Sequence, residues 1–68
     1  MRFGENFRKY RLEVNLSQKN VAEKLGICQS NISDWENDIS RPEYEKLIQL
    51  AKLYGVSICD LLGVEDIF

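Results

Sequence analysis

The side chains best suited to specific chemistry in this sequence are short, polar and close together: Gln29, Ser30, Ser33 and Asp34. Their amide, hydroxyl and carboxylate groups are hydrogen-bonding groups, and none sits in a pattern that activates a nucleophile. The chain has no histidine, and a catalytic Ser or Cys normally needs an adjacent base. Its Asp, Glu and Lys residues suggest no cleft-forming arrangement, so no catalytic residue is assigned and the chain is not read as an enzyme. The only cysteines, Cys28 and Cys59, form no C-x-x-C pair, and without histidine no zinc site can be assembled from ordinary ligands. Glycine-rich phosphate loops are absent, and no metal or cofactor is expected.

The elements that position such a cluster must be few. Sixty-eight residues make one domain, at a size where folding buries only about 60% of the chain's surface. With 44% hydrophobic and 29% charged residues and a single proline, Pro42, the composition is that of a compact soluble domain, without repeats or low-complexity segments. Apolar stretches such as "LIQLA" fall far short of the roughly 20 residues that span a bilayer. The N-terminus has no signal-peptide core, so a cytoplasmic location without membrane contact is expected. In that compartment Cys28 and Cys59 are expected as buried or half-buried thiols, with a disulfide between them as the alternative. The net charge of −2 hides an asymmetry: residues 1–24 carry six basic side chains against three acidic ones, and residues 25–68 carry three against eight.

Hydrophobic periodicity predicts five helices and no strand. Phe3, Phe7, Tyr10 and Val14 recur at steps of four, three and four, giving one stripe on a helix from about Arg2 to Val14 that Asn15 closes with a left-handed turn. Ser17 suits an N-cap for a second helix with Val21, Ala22 and Leu25 inward and Gly26 at its end. A third runs from about Gln29 to Asn37, capped weakly by Cys28, with Ile32, Trp35 and Glu36 on one face. Beyond Pro42, the spacing of Tyr44, Leu47, Ile48, Ala51 and Tyr54 predicts a fourth helix ending at Gly55. Ser57 and Asp60 fit a capping box that opens a fifth, running through Leu61 and Leu62 to Gly63.

The residues carrying these features, Gln18, Ala22, Gly26, Ile32 and Trp35, the "WEN" ending that begins at Trp35, then "RP" and "LIQLAKLYGVSICDLLG", resemble the Cro and phage-repressor type, or XRE-like, helix-turn-helix DNA-binding domains. The resemblance extends over nearly the whole chain. It implies an all-α, five-helix, lambda-repressor-like domain over residues 1–63, with helices 2 and 3 as the helix-turn-helix and 64–68 as a short C-terminal tail. Its implied function is sequence-specific binding of double-stranded DNA by a transcriptional regulator, expected to be a repressor, with helix 3 in the major groove.

With Ile32, Trp35 and Glu36 inward, Gln29, Ser30, Ser33 and Asp34 face outward as base contacts; Gln29 suits adenine and Asp34 suits the N4 amine of cytosine. Gln18, Lys19, Asn31, Asn37 and Arg41 are the expected phosphate contacts, with Arg8 adding longer-range attraction. Family members pair a basic residue on helix 1 with an acid at the end of helix 3, which here implies an Arg11–Glu36 ion pair that fixes helix 3. Asp38 departs from the glycine that the family often places in the turn after helix 3. Dimers on inverted repeats are usual in the family, and Leu62, Val64, Ile67 and Phe68 are the expected homodimer surface. The alternative reading is a protein-interaction module of the same fold, of antitoxin or antirepressor type, whose partner is a toxin or another regulator.

Overall fold

The computed structural model describes residues 3–63. They form α1 (Gly4–Glu13), α2 (Gln18–Leu25), α3 (Gln29–Glu36), α4 (Tyr44–Tyr54) and α5 (Ile58–Leu62), with no strand among the described residues. The ends of α2 are fixed locally. Ser17 Oγ accepts from the Asn20 N–H at 3.0 Å, and Asn20 Oδ1 accepts from the Ser17 N–H at 3.2 Å, a reciprocal capping box written in the sequence as "SQKN". Gly26 then closes α2 at φ +69°, a backbone angle that glycine takes without steric cost, and the chain turns directly into α3. Asn15 ends α1 at φ +58°, as its residue type suggests. At α5 only the Ser57 half of the expected box is formed among the described residues, with Ser57 Oγ accepting from the Asp60 N–H at 3.0 Å.

The start of α1 is fixed by a residue far away in sequence. Phe3, at its N-cap, provides no side-chain cap; instead Asp38 Oδ1 accepts from the N–H groups of Phe3 at 3.0 Å and Gly4 at 2.9 Å. The Asp38 carboxylate therefore satisfies open donors and lies at the positive end of the α1 dipole, while its own backbone takes the left-handed conformation at φ +60°. Gly4 packs against the end of α3 so closely that a Cβ there would come within 2.6 Å of the Glu36 carbonyl carbon and 2.9 Å of the Trp35 oxygen. Lys46 Nζ donates to the Leu25 carbonyl oxygen at 3.4 Å, placing a cation on the C-terminal turn of α2.

The core is built from Phe7 on α1, Val21, Ala22 and Leu25 on α2, Ile32 and Trp35 on α3, Leu47, Leu50, Ala51 and Tyr54 on α4, and Leu61 on α5. Phe3, Tyr10, Leu16 and Leu62 pack partly against it. Three expected core positions lie elsewhere. Val14 is exposed because α1 has ended by then, and Leu16 covers that side of the core instead. Tyr44 is 85% exposed in the first turn of α4, and Ile48 is 43% exposed on its flank, because the buried stripe is centred on Leu47, Leu50, Ala51 and Tyr54. Leu50, only 1% exposed, belongs to that stripe in addition to the residues expected from spacing. Cys28 is exposed rather than buried and Cys59 is half-buried; both are free thiols. Arg2, at the expected start of α1, and Val64, Ile67 and Phe68 of the expected dimer surface lie outside the described residues.

Candidate nucleic-acid interface

Helix α3 has a buried face and an exposed face. Ile32, Trp35 and Glu36 are buried, at the i, i+3, i+4 spacing that sets them on one side. Gln29, Ser30, Asn31 and Asn37 are exposed, and Ser33 and Asp34 are half-buried between the faces. The outward side carries amide, hydroxyl and carboxylate groups with no large apolar side chain. Asn37, the C-cap rather than the last helical residue, donates from Nδ2 to the Ser33 carbonyl oxygen at 2.8 Å and to Ser33 Oγ at 3.3 Å. The Ser33 hydroxyl thus accepts from within the helix and keeps its own proton for an outside acceptor.

Beneath this face lies the expected ion pair. Arg11 donates to Glu36 through two nitrogens, Nε to Oε2 at 2.6 Å and Nη2 to Oε1 at 3.0 Å, while Nη1 donates to the Leu16 carbonyl oxygen at 2.9 Å. Both residues are 8% exposed. The bidentate fork locks α1 to the last turn of α3. Hydrogen bonding to Glu36 pushes Arg11 above its ordinary pKa against the opposing effect of burial, and the charges of Glu36 and Tyr54 add to the rise. Tyr54 is also buried, and its hydroxyl has no hydrogen-bond partner among the described residues. Burial pushes this phenol well above its ordinary range, Glu36 adds to the rise and Arg11 opposes it.

The pair is not sealed off from the exposed face. Gln18 Nε2 donates to Glu36 Oε1 at 3.1 Å, and Gln18 Oε1 accepts from Gln29 Nε2 at 3.4 Å. Arg11, Glu36, Gln18 and Gln29 thus form one chain of hydrogen bonds from the interior to the first turn of α3. A recess lined by Arg8, Arg11, Gln18, Glu36 and Asn37 opens over it. Gln18 and Lys19 open α2, where the first-turn N–H groups and the positive end of the helix dipole favour an anion. Lys19 and Arg8 are exposed. Arg41 is exposed and lies over the Phe3 ring, 5.4 Å from its centroid, beyond the C-terminal end of α3; Asn31 lines a second recess with Trp35 and Arg41.

Two features of this region escape a reading by pattern. The Gln18–Glu36 bond joins residues 18 positions apart and has no local signal, although an acceptor-only carboxylate near an amide is the chemistry that makes it. The role of Asp38 at the start of α1 is equally non-local; its one sequence signal is an Asp in a turn position that calls for a positive φ. No helix of the described residues is long and apolar enough to cross a membrane, and no group of three or more Cys, Asp or Glu residues among them is arranged to hold a metal.

Comparison with known proteins gives a consistent result. Over 67 residues the chain is 36% identical to the HTH-type transcriptional regulator ImmR of Bacillus subtilis (strain 168), covering 98% of this chain and 53% of that protein. It is 33% identical over 61 residues to the cryptic phage CTXphi transcriptional repressor RstR of Vibrio cholerae, covering 90% of this chain and 55% of that one. The chain spans about half the length of these curated relatives. A crystal structure of a transcriptional regulator from Listeria innocua superposes with a TM-score of 0.83 at 30% identity, covering 97% of this chain and 63% of that chain. Residues 7–61 match the model of the family described as "Helix-turn-helix". With that match reaching into all five helices, and α2 and α3 joined at Gly26, the chain belongs to the helix-turn-helix family.

Proposed function

We propose that this domain binds double-stranded DNA sequence-specifically, with α3 in the major groove, as the DNA-reading part of a transcriptional regulator. The observation that carries the reading is the two-faced α3, whose buried Ile32, Trp35 and Glu36 hold a wholly polar outer face in place. Gln29, Ser30, Ser33 and Asp34 make the base contacts, Gln29 as a bidentate partner of adenine and Asp34 as an acceptor for cytosine N4. Gln18, Lys19, Asn31, Asn37 and Arg41 set the register on the phosphates. Repression is the expected output, supported by the likeness to the repressor RstR. One α3 reads few base pairs, so the active species is a homodimer on an inverted repeat, with Leu62, Val64, Ile67 and Phe68 contributing to the contact and half-sites about 34 Å apart. The protein acts in the cytoplasm and not as an enzyme.

Titrating duplex DNA at several salt concentrations tests this. Each neutralised phosphate contributes about −0.9 to the slope of log affinity against log salt. Lys19 and Arg41 in two protomers therefore give a slope of about −4. Binding that ignores salt, or that occurs only with a protein partner, contradicts the reading.

A further inference from the structure

We infer that Glu36, which touches no base, chooses which base Gln29 accepts, by fixing the orientation of two side-chain amides in series. A carboxylate only accepts hydrogen bonds, so the group that Gln18 turns toward Glu36 Oε1, at 3.1 Å, must be its nitrogen. The reversed amide would set two acceptor oxygens against each other inside a buried ion pair. With its nitrogen committed, Gln18 presents its oxygen to Gln29, and Gln29 must answer with Nε2, at 3.4 Å. One N–H of Gln29 is then used inward, and the outward side shows Oε1 beside the second N–H. An adjacent acceptor and donor complement N6–H and N7 of adenine. Were the two amides reversed, Gln29 would accept from Gln18 and show two N–H donors, which complement N7 and O6 of guanine instead. Arg11 holds the arrangement by donating to both Glu36 oxygens. Glu36 is in this sense a positioning residue for specificity as well as a structural one.

This rests on the DNA-binding reading, and the test separates the two. A duplex selected by the wild-type protein from a random library is varied one base pair at a time, and the pair at which Gln29→Ala loses its preference is taken as the Gln29 pair. The wild type should favour adenine over guanine there at least tenfold. Gln18→Met, which leaves the Arg11–Glu36 pair intact, should cut that ratio at least fivefold. Glu36→Gln, whose amide can offer either oxygen or nitrogen, should do the same when affinities are scaled to the folded fraction. A purely structural Glu36 would lower binding to every duplex by one factor and leave the ratio alone. If Glu36→Gln does not fold, the ratio for Gln18→Met decides. An unchanged ratio, or a wild-type preference for guanine, overturns this inference while DNA binding stands. A folded wild type that selects no duplex overturns both.

Discussion

At Glu36 three donors converge on one buried carboxylate: Arg11 Nε, Arg11 Nη2 and Gln18 Nε2. Removing it strands the guanidinium in the interior, which costs about 3–5 kcal/mol. A domain of this size has about 3–10 kcal/mol of total stability. Glu36→Ala should therefore melt far below the wild type or fail to fold, and a melting temperature equal to the wild type's would remove the ion pair from the account. Gln29→Ala has the opposite profile, with folding unchanged and a loss of about 1–3 kcal/mol confined to one base pair; affinity for the selected site equal to the wild type's would end its base-reading role. Tyr54 gives a prediction in pH. Its neutral form is favoured in the fold, so folded Tyr54 titrates above the unfolded chain's value of about 10. The unfolded chain then binds fewer protons above about pH 10, and stability falls as pH rises from there. Tyr54→Phe should abolish that part of the alkaline decline in denaturant titrations. Because the hydroxyl has no partner among the described residues, the same variant should be as stable as the wild type at neutral pH, or more stable by about 1 kcal/mol. A neutral-pH loss above that figure would mean the hydroxyl is satisfied.

Among the helices, the elements that local chemistry terminates are also the ones legible in the sequence. Ser17, Gly26, Gly55 and Ser57 mark ends of α2, α4 and α5 by residue type alone, and each stands where a cap or left-handed turn is required. The inward face of α3 and the Arg11–Glu36 pair were legible as well, the first from spacing and the second from the resemblance. What the sequence hides is packing between elements. The start of α1 depends on Asp38, and its approach to α3 depends on Gly4, whose neighbours are the backbone atoms of Trp35 and Glu36. Nothing near residue 4 in the sequence announces that contact. The shifted stripe on α4 has the same origin: Tyr44 and Ile48 share the helical period, but packing between helices buries Leu47, Leu50, Ala51 and Tyr54 and leaves Tyr44 and Ile48 exposed. Gly4→Ala is the test. In an isolated helix Ala is favoured over Gly by up to about 1 kcal/mol, whereas here the new methyl group meets backbone and should cost about 1–3 kcal/mol by denaturant unfolding. A stabilised variant would show that α1 can withdraw from α3 without penalty.

For the molecule as a whole, a net charge of −2 is a poor guide to its partner. Six of the nine basic side chains fall within residues 1–24, and of these Arg8 and Lys19 are exposed on the helices beside α3. One acid in the turn after α3, Asp38, is committed to the N-terminal N–H groups of α1. In the proposed DNA-binding reading, so few phosphate-neutralising cations leave the affinity to base contacts and to a second copy. Whether α3 reads bases is decided by selecting bound sequences from a random duplex library with the folded wild-type protein. Enrichment of an inverted repeat whose half-sites are centred about 34 Å apart is the expected result. Failure of a demonstrably folded protein to enrich any sequence would contradict it and turn the polar face of α3 toward a protein partner.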